Sequence, residues 1–190
     1  MESLGMSGQM GKVISLFQQS QSDDNSQIEE NALFALDSLL EASTEREIGF
    51  SYADGLCGIG VGVEYLLQEG FIEGDANEVL RHFDTLLFRI ITTRPSIDTG
   101  IAQGMLGIAY YFYYRLKAQT TSEAPQVIRI KEHLIYLIDW IADDLQDSAK
   151  EKNLYECWFI LILLLQLNVF NAKVLNLLDY CEKEMALWKR

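Results

Sequence analysis

Between residues 55 and 62 the segment "GLCGIGVG" places four glycines in eight positions and then runs directly into the apolar stretch "VEYLL". Glycine makes a helix costlier to order, so a cluster of this density needs a local reason. One reason is a phosphate loop, which requires G-x-x-x-x-G-K-[ST] or G-x-G-x-x-G after a strand and ahead of a helix. Gly58, Gly60 and the residues after them miss that spacing, no lysine follows, and no strand pattern precedes. A second reason is a metal loop built on Cys57. The third is steric, since glycine permits tight turns and close backbone approach. Recurrence favours the third. "SLGMSGQMGKVISLF" begins at residue 3 and "GIAQGMLGIAYYFYY" at residue 100, and both enter apolar segments. Setting Gly11, Gly62 and Gly107 in register gives intervals of 51 and 45 residues, within the range of helical-hairpin repeats. In this register Gly100, Gly104 and Gly107 match Gly55, Ile59 and Gly62, and Gly8 matches Gly104. Gly8, Gly11, Gly55, Gly58, Gly62, Gly100, Gly104 and Gly107 are therefore expected to be structural turn glycines.

The rest of the chain reads as helix. In "DANEVLRHFDTLLFRII" (75–91), Asp75 and Glu78 have capping-box spacing. Val79, Leu80, Phe83, Leu86, Leu87, Ile90 and Ile91 then share one face. Ser26 and Glu29 repeat the spacing ahead of Ile28, Ala32, Leu36, Leu39 and Leu40. A third one-sided helix carries Ile130, Leu134, Leu137, Ile138, Ile141 and Leu145. A fourth begins near Asn171 and carries Val174, Leu175, Leu178, Cys181, Met185 and Trp188. Alternating with these are "VISLF", "VGVEYLL", "IAYYFYYRL" and "CWFILILLLQL", apolar nearly all round. A helix without a polar face must be covered on every side. The order predicts an all-α chain of eight helices in four hairpins. A length of 190 residues suits one domain over 1–190.

"GIAQGMLGIAYYF" resembles the glycine-rich turns of the lanthionine synthetase C-like (LanC-like) family, loosely G-[LI]-x-x-G-x-x-G-[IA]; "GLCGIGVGVEYL" is similar to a variant of that turn. The resemblance covers at least residues 3–116 and, through hairpin order, extends along the whole chain. It implies an α/α toroid, with inner helices forming a barrel, outer helices around it, and glycine-rich loops gathered at the active-site end. Four hairpins against the family's seven imply a partial toroid. The family's cyclases hold a catalytic zinc through a cysteine and a neighbouring Cys-His pair in later repeats. This chain has no Cys-His pair, and "NLYECWF" opens the fourth apolar segment without a glycine turn. The resemblance thus implies a non-catalytic or accessory member, without metal or cofactor, that binds a peptide or assists peptide modification.

Charge narrows the partners. Twenty-eight acidic against fifteen basic residues give a formal net charge of −13. Nucleic acid binding needs clustered Lys and Arg to displace counterions, and anionic membrane surfaces are disfavoured for the same reason. A basic or neutral peptide or protein is compatible. The most apolar stretch, "WFILILLLQLNVF" (158–170), is interrupted by Gln166 and Asn168 and is shorter than the roughly 20 residues of a span. The N-terminus lacks a cationic start followed by an apolar run. Three widely separated cysteines do not form a disulfide framework. A cytoplasmic location is the expectation.

Catalytic zinc takes three protein ligands and an open position. The soft candidates are Cys57, Cys157, Cys181, His82 and His133. The histidines sit at the edge of outer-helix stripes, Cys181 lies on an apolar stripe and Cys157 opens the most apolar helix, so packing is the favoured role. Asp54, Cys57, Asp98 and Gln103 lie in or beside the glycine-rich loops, at the end where the resemblance places the family's site. They are the candidate binding residues. Asp54 and Asp98 could pair as general acid and base, but Asp before Gly is also ordinary turn chemistry, and the turn is favoured. Cys57 as a nucleophile needs an adjacent histidine and a lowered pKa. Tyr110, Tyr111, Tyr113 and Tyr114 around Phe112 suit core packing or an aromatic peptide groove. Two alternatives stand beside the accessory reading. One is a peptide cyclase or hydrolase acting at the loop end. The other is a structural module completed by oligomerisation, since "CWFILILLLQLNVF" is very apolar for a terminal hairpin.

Overall fold

The computed structural model describes residues 3–45, 48–147 and 153–187. Among these residues the chain is all helical and contains no strand. In chain order the elements are α1 (Gln9–Asp23), α2 (Ser26–Glu45), α3 (Leu56–Gln68), α4 (Ala76–Val79), α5 (Arg81–Thr93), α6 (Met105–Lys117), α7 (Pro125–Gln146), α8 (Leu154–Leu165) and α9 (Asn171–Leu187). The four apolar segments become α1, α3, α6 and α8. In space α1 packs on α3, α3 on α6 and α6 on α8, while α5 packs on α7 and α7 on α9. Each helix of the first row also packs on the helix that follows it in the chain.

Among the described residues one helix more is present than the periodicity predicts. The segment expected to be continuous over 75–91 breaks at Leu80, which has φ −95° and ψ 4°. The break holds Asn77 against Arg115, whose Nη2 donates to Asn77 Oδ1 at 3.1 Å. It also turns Val79 to solvent instead of onto the apolar face. The start signal there is correct, because Asp75 Oδ1 accepts from the Asn77 amide at 2.8 Å. At α2 the cap lies one residue earlier than Ser26. Asn25 Oδ1 accepts from the amides of Gln27 and Ile28, a geometry that a side-chain oxygen one position ahead of the first turn satisfies.

The core follows the stripes closely in α7, where Ile130, Leu134, Leu137, Ile138, Ile141 and Leu145 are all buried. In α9 Val174, Leu178 and Cys181 are buried, Leu177 joins them, and Leu175 faces solvent. Trp188 lies outside the described residues. The expectation of complete cover holds for α3, buried from Leu56 to Glu64. It fails for α8, where Tyr155 and Phe159 are exposed, because α6 and α9 cover only part of its circumference. No helix among the described residues is long and apolar enough to cross a membrane.

Candidate functional site

Three helices are entered through similar turns, the first of them one residue shorter than the other two. Amides of Met105 and Leu106 donate to the carbonyls of Asp98 and Thr99; those of Leu56 and Cys57 donate to Gly49 and Phe50; those of Gln9 and Met10 donate to Ser3 and Leu4. Gly104, Gly55 and Gly8 precede these helices. A Cβ on Gly104 would lie 2.0 Å from the Asp98 carbonyl oxygen, and the other two meet backbone at the same closeness. Three residues on, Gly107, Gly58 and Gly11 repeat the contact against the carbonyls of Ile101, Tyr52 and Met6. This geometry corrects the register. Gly58, not Gly62, corresponds to Gly11 and Gly107, and Ser51, not Gly55, corresponds to Gly100. Gly62 is a mid-helix contact against the Met10 side chain of α1, and Gly60 is the contact against the Tyr111 ring of α6. α3 is glycine-rich because it is squeezed between α1 and α6.

The corrected register also places Cys57. It stands where the other two helix entries have Met10 and Leu106, both core residues, and its thiol is buried and pushed well above its ordinary pKa by desolvation. Asp54, Asp98 and Gln103 are exposed. Asp98 Oδ1 accepts from the Gly100 amide at 3.1 Å, a local turn bond. Gln103 Nε2 donates to Asp54 Oδ2 at 2.5 Å. That bond, reinforced by Ser3, holds the Asp54 carboxyl below its usual range. The three loops are stitched in sequence. The amides of Met6 and Ser7 donate to Tyr52 and Ala53, and the Ala53 amide donates to Ala102. The Ile101 amide then reaches Glu156 on α8 at 2.6 Å. Thr99 anchors the third loop to α7 by donating to Asp144 at 2.8 Å. The structure thus brings Asp54 and Gln103 together and uses Asp98 within its own turn.

At the opposite end of α3 and α6 lies a charge cluster that periodicity did not reveal. Arg115 is fully buried. Its guanidinium donates to Asp84 through Nε and Nη2 at 3.1 and 2.9 Å, and through Nη1 to Glu64 at 2.5 Å. The Tyr111 hydroxyl donates to Asp84 at 2.6 Å. Burial raises the Glu64 carboxyl, opposed by the bond and charge of Arg115. The available signal was a single charge inside each of two otherwise apolar segments, Glu64 in "VGVEYLL" and Arg115 in "IAYYFYYRL".

Outside this cluster the remaining face of α6 is tyrosine. Tyr110, Tyr113 and Tyr114 are half-buried at helical spacing. Tyr52 packs edge-on to Tyr110 at 5.4 Å and Tyr110 edge-on to Tyr114 at 5.1 Å. Lys117 Nζ sits 4.0 Å over the Tyr114 ring. Tyr111 and Phe112 face the core instead. Past the tyrosines, where α3, α6 and α8 end, an open cavity of about 580 Å³ is lined by Gln68, Tyr113, Lys117, Thr120, Gln166 and Leu167. Tyr113 donates its hydroxyl to Gln166 across it at 3.2 Å. Desolvation pushes the phenols of Tyr52, Tyr113 and Tyr114 up, so they remain protonated donors near neutral pH.

The remaining candidates are dispersed. His82 is exposed on α5. His133 is buried on α7, stacked on Phe88 with ring centroids 4.0 Å apart, and its pKa falls to about 4, chiefly through desolvation. Among the described residues no three of His, Cys, Asp and Glu gather as a metal site would require. Comparison with protein-family models, with curated proteins and with solved structures finds no match.

Proposed function

We propose that this all-helical chain is a partial α/α toroid of the LanC-like kind that binds an extended peptide along its first row of helices, in an accessory and non-catalytic role. The observation that carries the reading is the tyrosine stripe leading into the cavity between Gln68, Lys117 and Gln166. Tyrosine combines large contact area with a hydrogen bond and is enriched among residues that dominate binding energy. A volume of about 580 Å³ is in the range of small-ligand clefts, enough for a few side chains. The common turn geometry ahead of α1, α3 and α6, and the ordered packing of α1, α3, α6 and α8, support the toroid. A site at the glycine loops is less favoured, since the Cys57 thiol is buried and Asp98 bonds within its turn.

Fluorescence polarisation with labelled members of a random peptide library tests this reading. Binders are expected, and Tyr113→Ala should weaken them about tenfold, the loss of roughly 1–2 kcal/mol typical of an important interface residue. No binder, or binders indifferent to Tyr113→Ala and Lys117→Ala, would sink it. A second reading rests on the exposed aromatic edge of α8, where Tyr155 and Phe159 are 64% and 45% exposed. If that edge is an assembly surface, sedimentation velocity should show a concentration-dependent oligomer that Phe159→Asp dissolves.

A further inference from the structure

The row α1, α3, α6 and α8 has two outer flanks, one on α1 beyond its packing on α2 and α3, the other on α8 beyond its packing on α6 and α9. The four helices start at the same end of the molecule. The loops that enter α1, α3 and α6 are bonded to one another, and Glu156 in the first turn of α8 accepts from Ile101 in the third of them. Inside the row, a large side chain of one helix lies against a glycine of its neighbour. Met10 of α1 meets Gly62 of α3, and Tyr111 of α6 meets Gly60 of α3.

The two flanks are opposite in character. On α8, Tyr155 and Phe159 are exposed and Ile162, on the same face, is half-buried. Repeat arrays end in a polar outer face where they meet water, and this one is aromatic and aliphatic. On α1 an open groove of about 580 Å³ is lined by Met6, Gly8, Gly11, Ser15, Leu16 and Gln19, with Lys12 beside them. Its wall is short-chained, because the Ser15 hydroxyl turns back to donate to the Gly11 carbonyl at 2.9 Å. Gly8, Lys12 and Ser15 have the same spacing, four residues and then three, as Tyr155, Phe159 and Ile162. Among the described residues that line the groove none is acidic. In a chain of net charge −13, faces without carboxylates are where two copies approach with least like-charge repulsion.

We propose that α8 of one copy seats Tyr155, Phe159 and Ile162 in the α1 groove of a second copy, so that the row continues from chain to chain. The proposal rests on the assembly reading of the α8 edge and names the surface that covers it. Parallel packing, as inside the chain, sets Tyr155 level with Gly8, Phe159 with Gly11 and the stem of Lys12, and Ile162 with Ser15. Large again meets small. Each copy contributes a different face, so the contact is heterologous. A chain that keeps only its α8 face therefore still pairs with one that keeps only its α1 face.

Sedimentation velocity on the full chain over a concentration series tests this, with Phe159→Asp and Ser15→Glu run separately and then mixed. Wild type should associate, and each variant alone should associate about tenfold more weakly or worse, the loss expected at an important interface residue. The equimolar mixture should recover a dimer and stop there, because one intact α8 face and one intact α1 groove remain. Far-UV circular dichroism checks that each variant is folded, and Tyr155→Glu, in the first turn of α8, replaces Phe159→Asp if that variant is not. Association lost in Phe159→Asp but unchanged in Ser15→Glu overturns the α1 groove as the partner surface and leaves the α8 edge as an assembly face. A mixture of folded variants that stays monomeric overturns the heterologous pairing. Wild type that is monomeric at every concentration, or an oligomer indifferent to both variants, overturns this proposal and the assembly reading together.

Discussion

At their N-terminal ends α3 and α6 are joined by backbone. Glycines bring carbonyls and amides of neighbouring loops together, and the side-chain bond that spans the two loops, Gln103 to Asp54, joins exposed groups. Towards their C-terminal ends the same two helices are joined by side chains, with Arg115 of α6 held between Glu64 of α3 and Asp84 of α5. The first kind of join depends on what is missing from each residue, the second on three charges that are costly to bury separately. Removing atoms should therefore be harmless at the first end and severe at the second, and adding atoms the reverse.

Arg115→Ala breaks the comparison hardest. It leaves two buried carboxylates facing each other, and breaking a buried ion pair in this way costs about 3–5 kcal/mol. Urea unfolding should show a loss of that size. Arg115→Lys should fall between, because an ammonium keeps the charge but cannot span both carboxylates as a guanidinium fork does. If Arg115→Ala changes stability by less than about 1 kcal/mol, the cluster is not what joins these helices.

Next in size is a pH effect at His133, which packs behind the same cluster. Desolvation lowers its pKa to about 4, against a smaller rise from Asp84 and a further lowering from Arg129. The unfolded chain, with an ordinary histidine near 6.5, binds the proton where the fold does not. Stability is full above pH 6.5 and falls as pH drops towards 4, by roughly 3 kcal/mol at most. Glu64, with its raised pKa, works against that slope. The difference between wild type and His133→Phe isolates the histidine, and an identical acid limb in the two proteins would contradict the assignment.

Gly104→Ala tests the other end. Its Cβ would stand 2.0 Å from a backbone carbonyl oxygen that cannot step aside, and overpacking of this kind costs typically 1–3 kcal/mol. Gly62→Ala meets only the Met10 side chain, which is flexible, so about 1 kcal/mol or less is expected. Equal losses at the two positions would mean that the turn geometry is no tighter than a helix contact.

This contrast also accounts for what could be read in the sequence. Glycine clusters and apolar stripes are local signals, so the helices around 9–23, 56–68, 105–117 and 125–146 were legible, and so were the glycine turns that enter the first three. The register was not, because Gly58, Gly60 and Gly62 look alike in one dimension although they face three different neighbours. Arg115, Glu64 and Asp84 are 51 and 31 residues apart in the chain from the partners they meet. Periodicity carries no information over that span. Of the loop-end candidates, the pattern placed Asp54, Asp98 and Gln103 in the right turns. The bond between Asp54 and Gln103 needed the fold.

The smallest effect decides between the two ends as binding surfaces. Gln103→Ala removes one hydrogen bond between exposed groups, so stability should fall by less than about 1 kcal/mol. Its effect on peptide affinity is the informative part. If the ligand lies along Tyr110, Tyr113 and Tyr114, Gln103→Ala leaves affinity unchanged while Tyr113→Ala lowers it about tenfold. The inverse result would move the ligand to the glycine loops, where Asp54, released from Gln103 but still bonded by Ser3, would rise towards the usual carboxylate range and become available to bind. Measuring both variants against one labelled peptide separates the cases, because the two residues lie in different parts of the surface and neither belongs to the buried cluster that holds α3 to α6.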